Sequence, residues 1–392
     1  MTTRRERRAD MGPQNLIADD RDMAIQWLRA LAAIEVMVWH SDLLTKKFSE
    51  FSIQTSSYSF FGGIGVEVFF VVSGFLMALI TAGNPAPGRF VRGRITRIYP
   101  LYWFFTSLVV LAAWLNPAWT LGQRLGRSSI LESYLIIPQS HFPTLMVGWT
   151  LEYEVLFYAV VALALVVAAG WRETAWRGWV APVLAACALV GALIPTDLLD
   201  HPMLDHLLSP YMLAFGFGWF LKARFGLSQP KRLLNAGTIG FAAGLSLALA
   251  RGHDHDLVVR IAIASALVAS AGSLRPILTR SGALGRAVAY VGEASYSVYL
   301  SHWFVLSMLG KVLGHLGLPP SADLPVRIVG CLCAIGVGTA FFTFVEWPLD
   351  RKFRRRRSGE IQRPAWKGTA GPAAELPIRP EPALALEPAE RS

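Results

Sequence analysis

The stretch IQWLRALAAIEVMVWHS, residues 25–41, decides how the rest of the chain is read. It is apolar and long enough to begin a membrane span, which takes about 20 residues rising 1.5 Å each. Yet it contains Arg29, Glu35 and His40. A charged side chain at the bilayer centre costs at least about 2.5 kcal/mol. Such groups therefore face the interior of a helix bundle, where they pair, bind or catalyse. Arg29 and His40 stand 11 residues apart. At about 100° per residue that is within about 20° of three full turns, so both lie on one helix face, separated by a rise of roughly 16 Å. One stripe thus carries a cation at one end and a proton acceptor at the other. Glu35 lies on a different face and has no role assigned by spacing.

The composition supports a membrane protein. The chain has 392 residues, 53% hydrophobic and 16% charged, with mean hydropathy +0.42. A soluble domain carries about 25% charged residues. The net charge of +10 is spread between long apolar runs and not gathered on one domain, which argues against a nucleic-acid partner. Cys187, Cys331 and Cys333 fall inside apolar runs and give neither a disulfide framework nor a zinc spacing. Ten spans are predicted: 25–44, 62–81, 98–115, 147–169, 179–195, 206–222, 234–250, 257–274, 287–309 and 326–349. The first reads as an uncleaved signal anchor. With the N-terminus placed in the cytoplasm, the inner segments carry 24 Lys and Arg and the outer loops 6. The predicted fold class is therefore all-α, a polytopic membrane helical bundle of about ten transmembrane helices with both termini cytoplasmic. Residues 1–24 form a basic cytoplasmic segment, 25–352 the membrane domain, and 353–392 a basic and then Pro/Ala/Glu-rich disordered cytoplasmic tail. The run RKFRRRR (351–357) reads as a stop signal or an anionic-lipid contact. The one long outer loop, 116–146, is expected to hold a short helix at 121–136. No outer segment is large enough to fold by itself, so chemistry must happen inside the bundle.

Several stretches carry that chemistry. GGIGVEVFFVVSGF (62–75) places Glu67 about 7 Å below the outer surface, close to the depth of His40. A carboxylate there can orient the imidazole and stabilise its protonated form, or serve as a structural acceptor. RFVRGRITRIYP (89–100) puts Arg94 and Arg97 on one helical face, with Arg92 one turn away. Clustered guanidinium groups suit phosphate. In VGWTLEYEVLFYAV (147–160) Glu154 and Tyr158 share a face, and in GEASYSVYLSHWF (292–304) Ser295, Tyr299 and His302 do, while Ser297 points elsewhere. Such stripes bind a polar ligand or cross-link helices. FVEWPLD (344–350) places Glu346 where Arg94, Arg97 or Arg29 can meet it. Glu152, Arg260, Glu293 and Arg327 are further ionisable groups in predicted spans. RGHDHD (251–256) reads as a solvated loop, not a metal site, and no zinc-protease, nucleophile-elbow or phosphate-loop motif is present.

Taken in order, Arg29-x10-His40, GVEVFFVVSGF, Arg94-x-x-Arg97 followed by IYP, WTLEYEVLFY, ASYSVYLSH and EWP resemble acyltransferase family 3. These are integral-membrane O-acyltransferases that modify bacterial surface and secreted glycans. The resemblance covers about residues 22–352, and IQWLRALAA is similar to the rhizobial exopolysaccharide acetylation branch. Two departures stand out: Glu67 occupies a position where many members have Asp, and Thr150 one where Ser is common. The extra hydrolase-like domain of some members is absent from this sequence. The resemblance implies a multi-pass protein of the bacterial cytoplasmic (inner) membrane. Its implied donor is acyl-CoA, chiefly acetyl-CoA, used as a substrate with no bound cofactor. Its implied partners are the lipid bilayer, a glycan acceptor and glycan assembly proteins, with no nucleic acid. On this reading Arg29, Arg94 and Arg97 hold the coenzyme phosphates, His40 acts as base or acyl carrier, and Glu67 holds the imidazole. Glu154, Tyr158, Ser295, Tyr299, His302 and Glu346 form a substrate-binding or structural polar stripe. The alternative is a transporter or flippase of an anionic or glycan-linked substrate, which would use the same buried charges but leave the ordered motifs unexplained. A membrane scaffold is a third reading.

Overall fold

Helices account for the architecture wherever the computed structural model describes the chain: residues 13–56, 63–83, 85–116, 126–168, 176–194, 201–224 and 255–353. The chain divides into two compact units, Met1–Arg351 and Lys352–Ser392, and the helices below belong to the first. In order they are α1 Pro13–His40, α2 Asp42–Thr45, α3 Ile64–Ile80, α4 Pro87–Leu115, α5 Arg127–Leu135, α6 Trp149–Ala168 and α7 Arg177–Leu193. Then come α8 Pro202–Leu208, α9 Tyr211–Arg224, α10 His255–Arg280, α11 Gly282–Glu293, α12 Ser295–Leu313 and α13 Asp323–Phe341. A π-helical turn, Phe342–Glu346, follows α13 directly, and the helical path runs on to residue 353. No strand occurs among the described residues.

Among the described residues, four helical stretches are long and apolar enough to cross a membrane: Ile64–Gly83, Pro87–Leu115, Met146–Ala168 and Pro320–Phe353. Arg177–Leu193 and Leu257–Ala271 are shorter apolar helices. The surface carries what lipid contact requires, with Trp114, Leu163, Val166, Val167, Met308 and Leu332 all exposed.

Two predicted spans are divided. The segment expected as one helix over 287–309 breaks at Ala294 into α11 and α12. There α11 packs so closely on α1 that a Cβ on Gly292 would strike the Gln26 backbone. The span expected over 206–222 starts in α8 and continues in α9, with Ser209 and Pro210 between them. Pro210 has no N–H with which to continue a helical ladder. The predicted span 234–250, most of the RGHDHD loop, residues 117–125 of the long loop and the basic run beyond Phe353 lie outside the described residues. Of the short helix expected at 121–136, the described part is α5.

Glycine and aromatic rings build the core around the site. Gly74 of α3 faces the backbone of Phe215, and Gly218 of α9 faces that of Val71. A Cβ at either would press on a carbonyl of the other helix, so these two helices meet backbone to backbone. Beside this contact Phe70, Phe215 and Phe157 stack in series, each pair with centroids 4.5 Å apart, joining α3, α9 and α6.

Candidate functional site: a polar seam through the bundle

Three helices contribute one stripe each. On α6, Thr150, Glu154 and Tyr158 recur every four residues. On α12 the stripe is Ser295, Tyr299 and His302, and on α1 it is Arg29 and His40. The structure joins them at two ends.

At the histidine end, His40 Nδ1 lies 3.1 Å from His302 Nε2. His302 is fully buried, and its Nδ1 lies 2.5 Å from the Tyr299 carbonyl oxygen. Trp303 meets the His40 ring edge-on at 5.2 Å between centroids. The Tyr299 hydroxyl donates to the Val147 carbonyl at 2.9 Å and lies 2.9 Å from Thr150 Oγ1, tying α12 to the start of α6.

At the arginine end, Arg97 Nη1 donates to Glu346 Oε1 at 2.6 Å, and Ser297 Oγ donates to Glu346 Oε2 at 2.6 Å. The Arg97 guanidinium also sits 5.7 Å over the Tyr296 ring. Arg29 donates to Gln26 Oε1 at 3.1 Å and interacts electrostatically with Arg97, Glu346, Glu154 and Tyr158. Arg94 lies over the rings of Phe90 and Tyr158, and its buried Nε makes no hydrogen bond among the described residues. Ser73 of α3 donates to Glu154 Oε1 at 3.0 Å, and the Tyr158 hydroxyl donates to the same oxygen. The π-helical turn ends on Glu346. Such turns add one residue to the helical repeat and re-aim the side chain that follows.

Glu67 does not join this seam as expected. It is 1% exposed and accepts from Arg260 Nε of α10 at 3.1 Å, while its other oxygen has no partner among the described residues. The group beside the His40 imidazole is His302, not Glu67. Matching depth does not make two groups neighbours, because depth leaves the rotation of each helix open. Glu35, unassigned by spacing, accepts from the Gly65 N–H at 2.8 Å in the first turn of α3. A helix N-terminus has unsatisfied N–H groups and a partial positive charge, so this carboxylate caps a neighbouring helix. Ser295 is buried, and its hydroxyl has no partner among the described residues.

Two further networks flank the seam. Arg327 of α13 donates to Asp323, Ser41, Asp42, Thr45 and the Phe51 carbonyl at 2.6–3.1 Å, gripping the chain directly after His40. Glu152 accepts from Gln139 Nε2 at 3.1 Å and lies 3.0 Å from His206 Nε2, binding the loop before α6 to α8. Residue types alone did not single out Ser297, Ser73 or Trp303. Ser73 sits within the VVSGF motif, and Ser297 lies on the α12 face set aside as pointing elsewhere. No group of three or more His, Cys, Asp or Glu placed to hold a metal occurs among the described residues.

Comparison with known proteins places this geometry in context. A family profile described as an acyltransferase domain matches residues 23–343. Over 335 residues the chain is 31% identical to the exopolysaccharide production protein ExoZ of Rhizobium meliloti (strain 1021), covering 82% of this chain and 98% of that protein. Over 333 residues it is 27% identical to the acyltransferase MdmB of Streptomyces mycarofaciens, covering 76% of this chain and 83% of that protein. No solved structure matches the chain.

Proposed function

Because the chain belongs to acyltransferase family 3, we propose that this membrane acyltransferase moves an acetyl group from acetyl-CoA to a glycan hydroxyl, with His40 as the reacting base. The observation that carries this reading is the seam itself. It joins a cluster of arginines to a half-buried histidine through helices matched by the acyltransferase domain. The name of ExoZ, an exopolysaccharide production protein, supports a polysaccharide acceptor.

The coenzyme phosphates bind at the arginine end. Arg94 is the best-placed cation, since its Nε has no partner among the described residues, whereas Arg97 is engaged by Glu346. Arg29 adds positive charge, and the aromatic faces of Phe90 and Tyr158 keep the Arg94 side chain in place. The thioester reaches His40 along the α1 stripe. The acceptor hydroxyl gives its proton to His40 as its oxygen attacks the thioester carbon. The carbon–sulfur bond then breaks, and the departing thiolate takes the proton from His40, leaving ester and free thiol. An acyl-imidazole on His40, formed first and then attacked by the hydroxyl, gives the same products. The excess of Lys and Arg in alternate loops supports cytoplasmic termini and about ten crossings of the bacterial inner membrane. That topology presents donor and acceptor from opposite sides.

The test is transfer of radiolabel from acetyl-CoA to chemically deacetylated exopolysaccharide by the purified chain. His40→Ala abolishes transfer while the protein still purifies as a single species. Full transfer by that variant would overturn the proposal.

A further inference from the structure

We infer that His302 is the positioning residue of the reaction: it fixes the tautomer of His40, so that the Nε2 lone pair of His40 is the one that reacts. This rests on the reading of His40 as base or acyl carrier and adds the group that prepares it.

A backbone carbonyl has lone pairs and no proton, so the nitrogen beside it must be the donor. His302 Nδ1 lies 2.5 Å from the Tyr299 carbonyl and therefore carries a hydrogen. In a neutral imidazole the other nitrogen is then bare. That nitrogen, His302 Nε2, lies 3.1 Å from His40 Nδ1 and can only accept. His40 Nδ1 must then donate; the Val36 carbonyl one turn back on α1, which also bonds this ring, can likewise only accept, and with its one proton on Nδ1 the His40 Nε2 is left unprotonated. Three groups in a row are thus polarised in one direction, set by a carbonyl that cannot be reversed.

The surroundings of His302 favour its neutral form. Facing it are His40 from α1 and, on its own helix, the Tyr299 ring and the Val298 carbonyl. Behind Tyr299 stand Thr150 of α6 and Phe69 of α3. Asp42 interacts electrostatically with His40, but its carboxylate is bonded to Arg327, Ser52 and the backbone N–H of Ile53 and Gln54. Among the described residues no carboxylate hydrogen-bonds to His302, and a buried imidazolium without a counter-charge is costly.

During transfer His302 neither gains nor loses a proton. When His40 takes the hydroxyl proton on Nε2, its Nδ1–H bond to His302 becomes charge-assisted and strengthens. The charge that a catalytic histidine usually shares with a carboxylate is met here by a second imidazole and a carbonyl dipole. This explains how the site works although Glu67 is bonded to Arg260.

The experiment compares three variants of the full purified chain with radiolabelled acetyl-CoA and chemically deacetylated exopolysaccharide. His302→Leu removes the acceptor and should lower kcat about 100-fold, the low end of what a positioned base contributes, with KM for acetyl-CoA unchanged. In His302→Gln one amide can accept from His40 Nδ1 and donate to the Tyr299 carbonyl, so most of kcat should return. His302→Asn is a methylene shorter, cannot span both partners, and should stay slow. Size-exclusion profiles and melting temperatures identify any variant that fails to fold, and the Gln–Asn contrast decides the matter if Leu is lost. Equal rates for Gln and Asn, wild-type rates in all three, or a change confined to KM would overturn the inference. His40→Ala separates the two claims. If it is inactive while His302→Leu is fully active, only the role of His302 falls; if it is active, the reading of His40 falls.

Discussion

A buried carboxylate beside a guanidinium is costly to break from either side. Glu67 is almost wholly buried against Arg260, so Arg260→Met strands a charge in the bundle. The expected loss is about 3 kcal/mol, seen as a lower melting temperature. Adding Glu67→Gln removes the stranded charge and should restore part of that loss; a double variant less stable than Arg260→Met would contradict the pairing. Arg94 belongs to a different set of groups. Arg94→Ala should raise KM for acetyl-CoA about tenfold, the value of one charge-assisted contact, with kcat nearly unchanged. A wild-type KM would remove Arg94 from the donor site. At this scale the sequence discloses types and faces. The spacing of Arg29 and His40, and of Tyr299 and His302, can be read because helical phase is local. Partners across helices cannot, since a pairing such as Glu67 with Arg260 spans 193 residues and depends on how each helix is rotated.

Elements make such pairings by their phase. The π-helical turn Phe342–Glu346 carries one residue beyond the regular repeat, and Glu346 reaches both Arg97 and Ser297 from its end. Inserting one alanine after the exposed Phe344 should turn Glu346 by about 100° away from those partners. The insertion should then lose as much activity as Glu346→Gln, and combining the two should lose little more. Additive losses would show that the turn serves some other purpose. The backbone contact of α3 with α9 gives a steric counterpart. Gly218→Leu forces a side chain into the Val71 carbonyl and should prevent recovery of folded protein. The glycines of GVEVFFVVSGF signal close approach in the sequence, although not to which helix. A π turn has no composition of its own and leaves no such signal. The break at Ala294 was hidden as well, because hydropathy stays high on both sides of it.

The whole molecule is legible as a helical membrane protein from composition alone, since long apolar runs divided by basic loops permit few other solutions. The sidedness of the proposal can be measured directly. In a background lacking Cys187, Cys331 and Cys333, a single cysteine at Ile53 should react with a membrane-impermeant maleimide on intact inner-membrane spheroplasts, and one at Leu284 only after permeabilisation. The reverse pattern would invert the bundle and place the arginine end outside. Less legible was how firmly the histidine end is held. Arg327 grips Ser41, Asp42, Thr45, the Phe51 carbonyl and Asp323, and Ser41 is the residue directly after His40. A guanidinium bonded on every side pins that end of α1 to α13. The imidazole therefore behaves as an anvil. On the proposed route, with no hinge to carry the imidazole toward the coenzyme, each turnover would depend on the thioester travelling the length of the helix to a histidine that stays where it is.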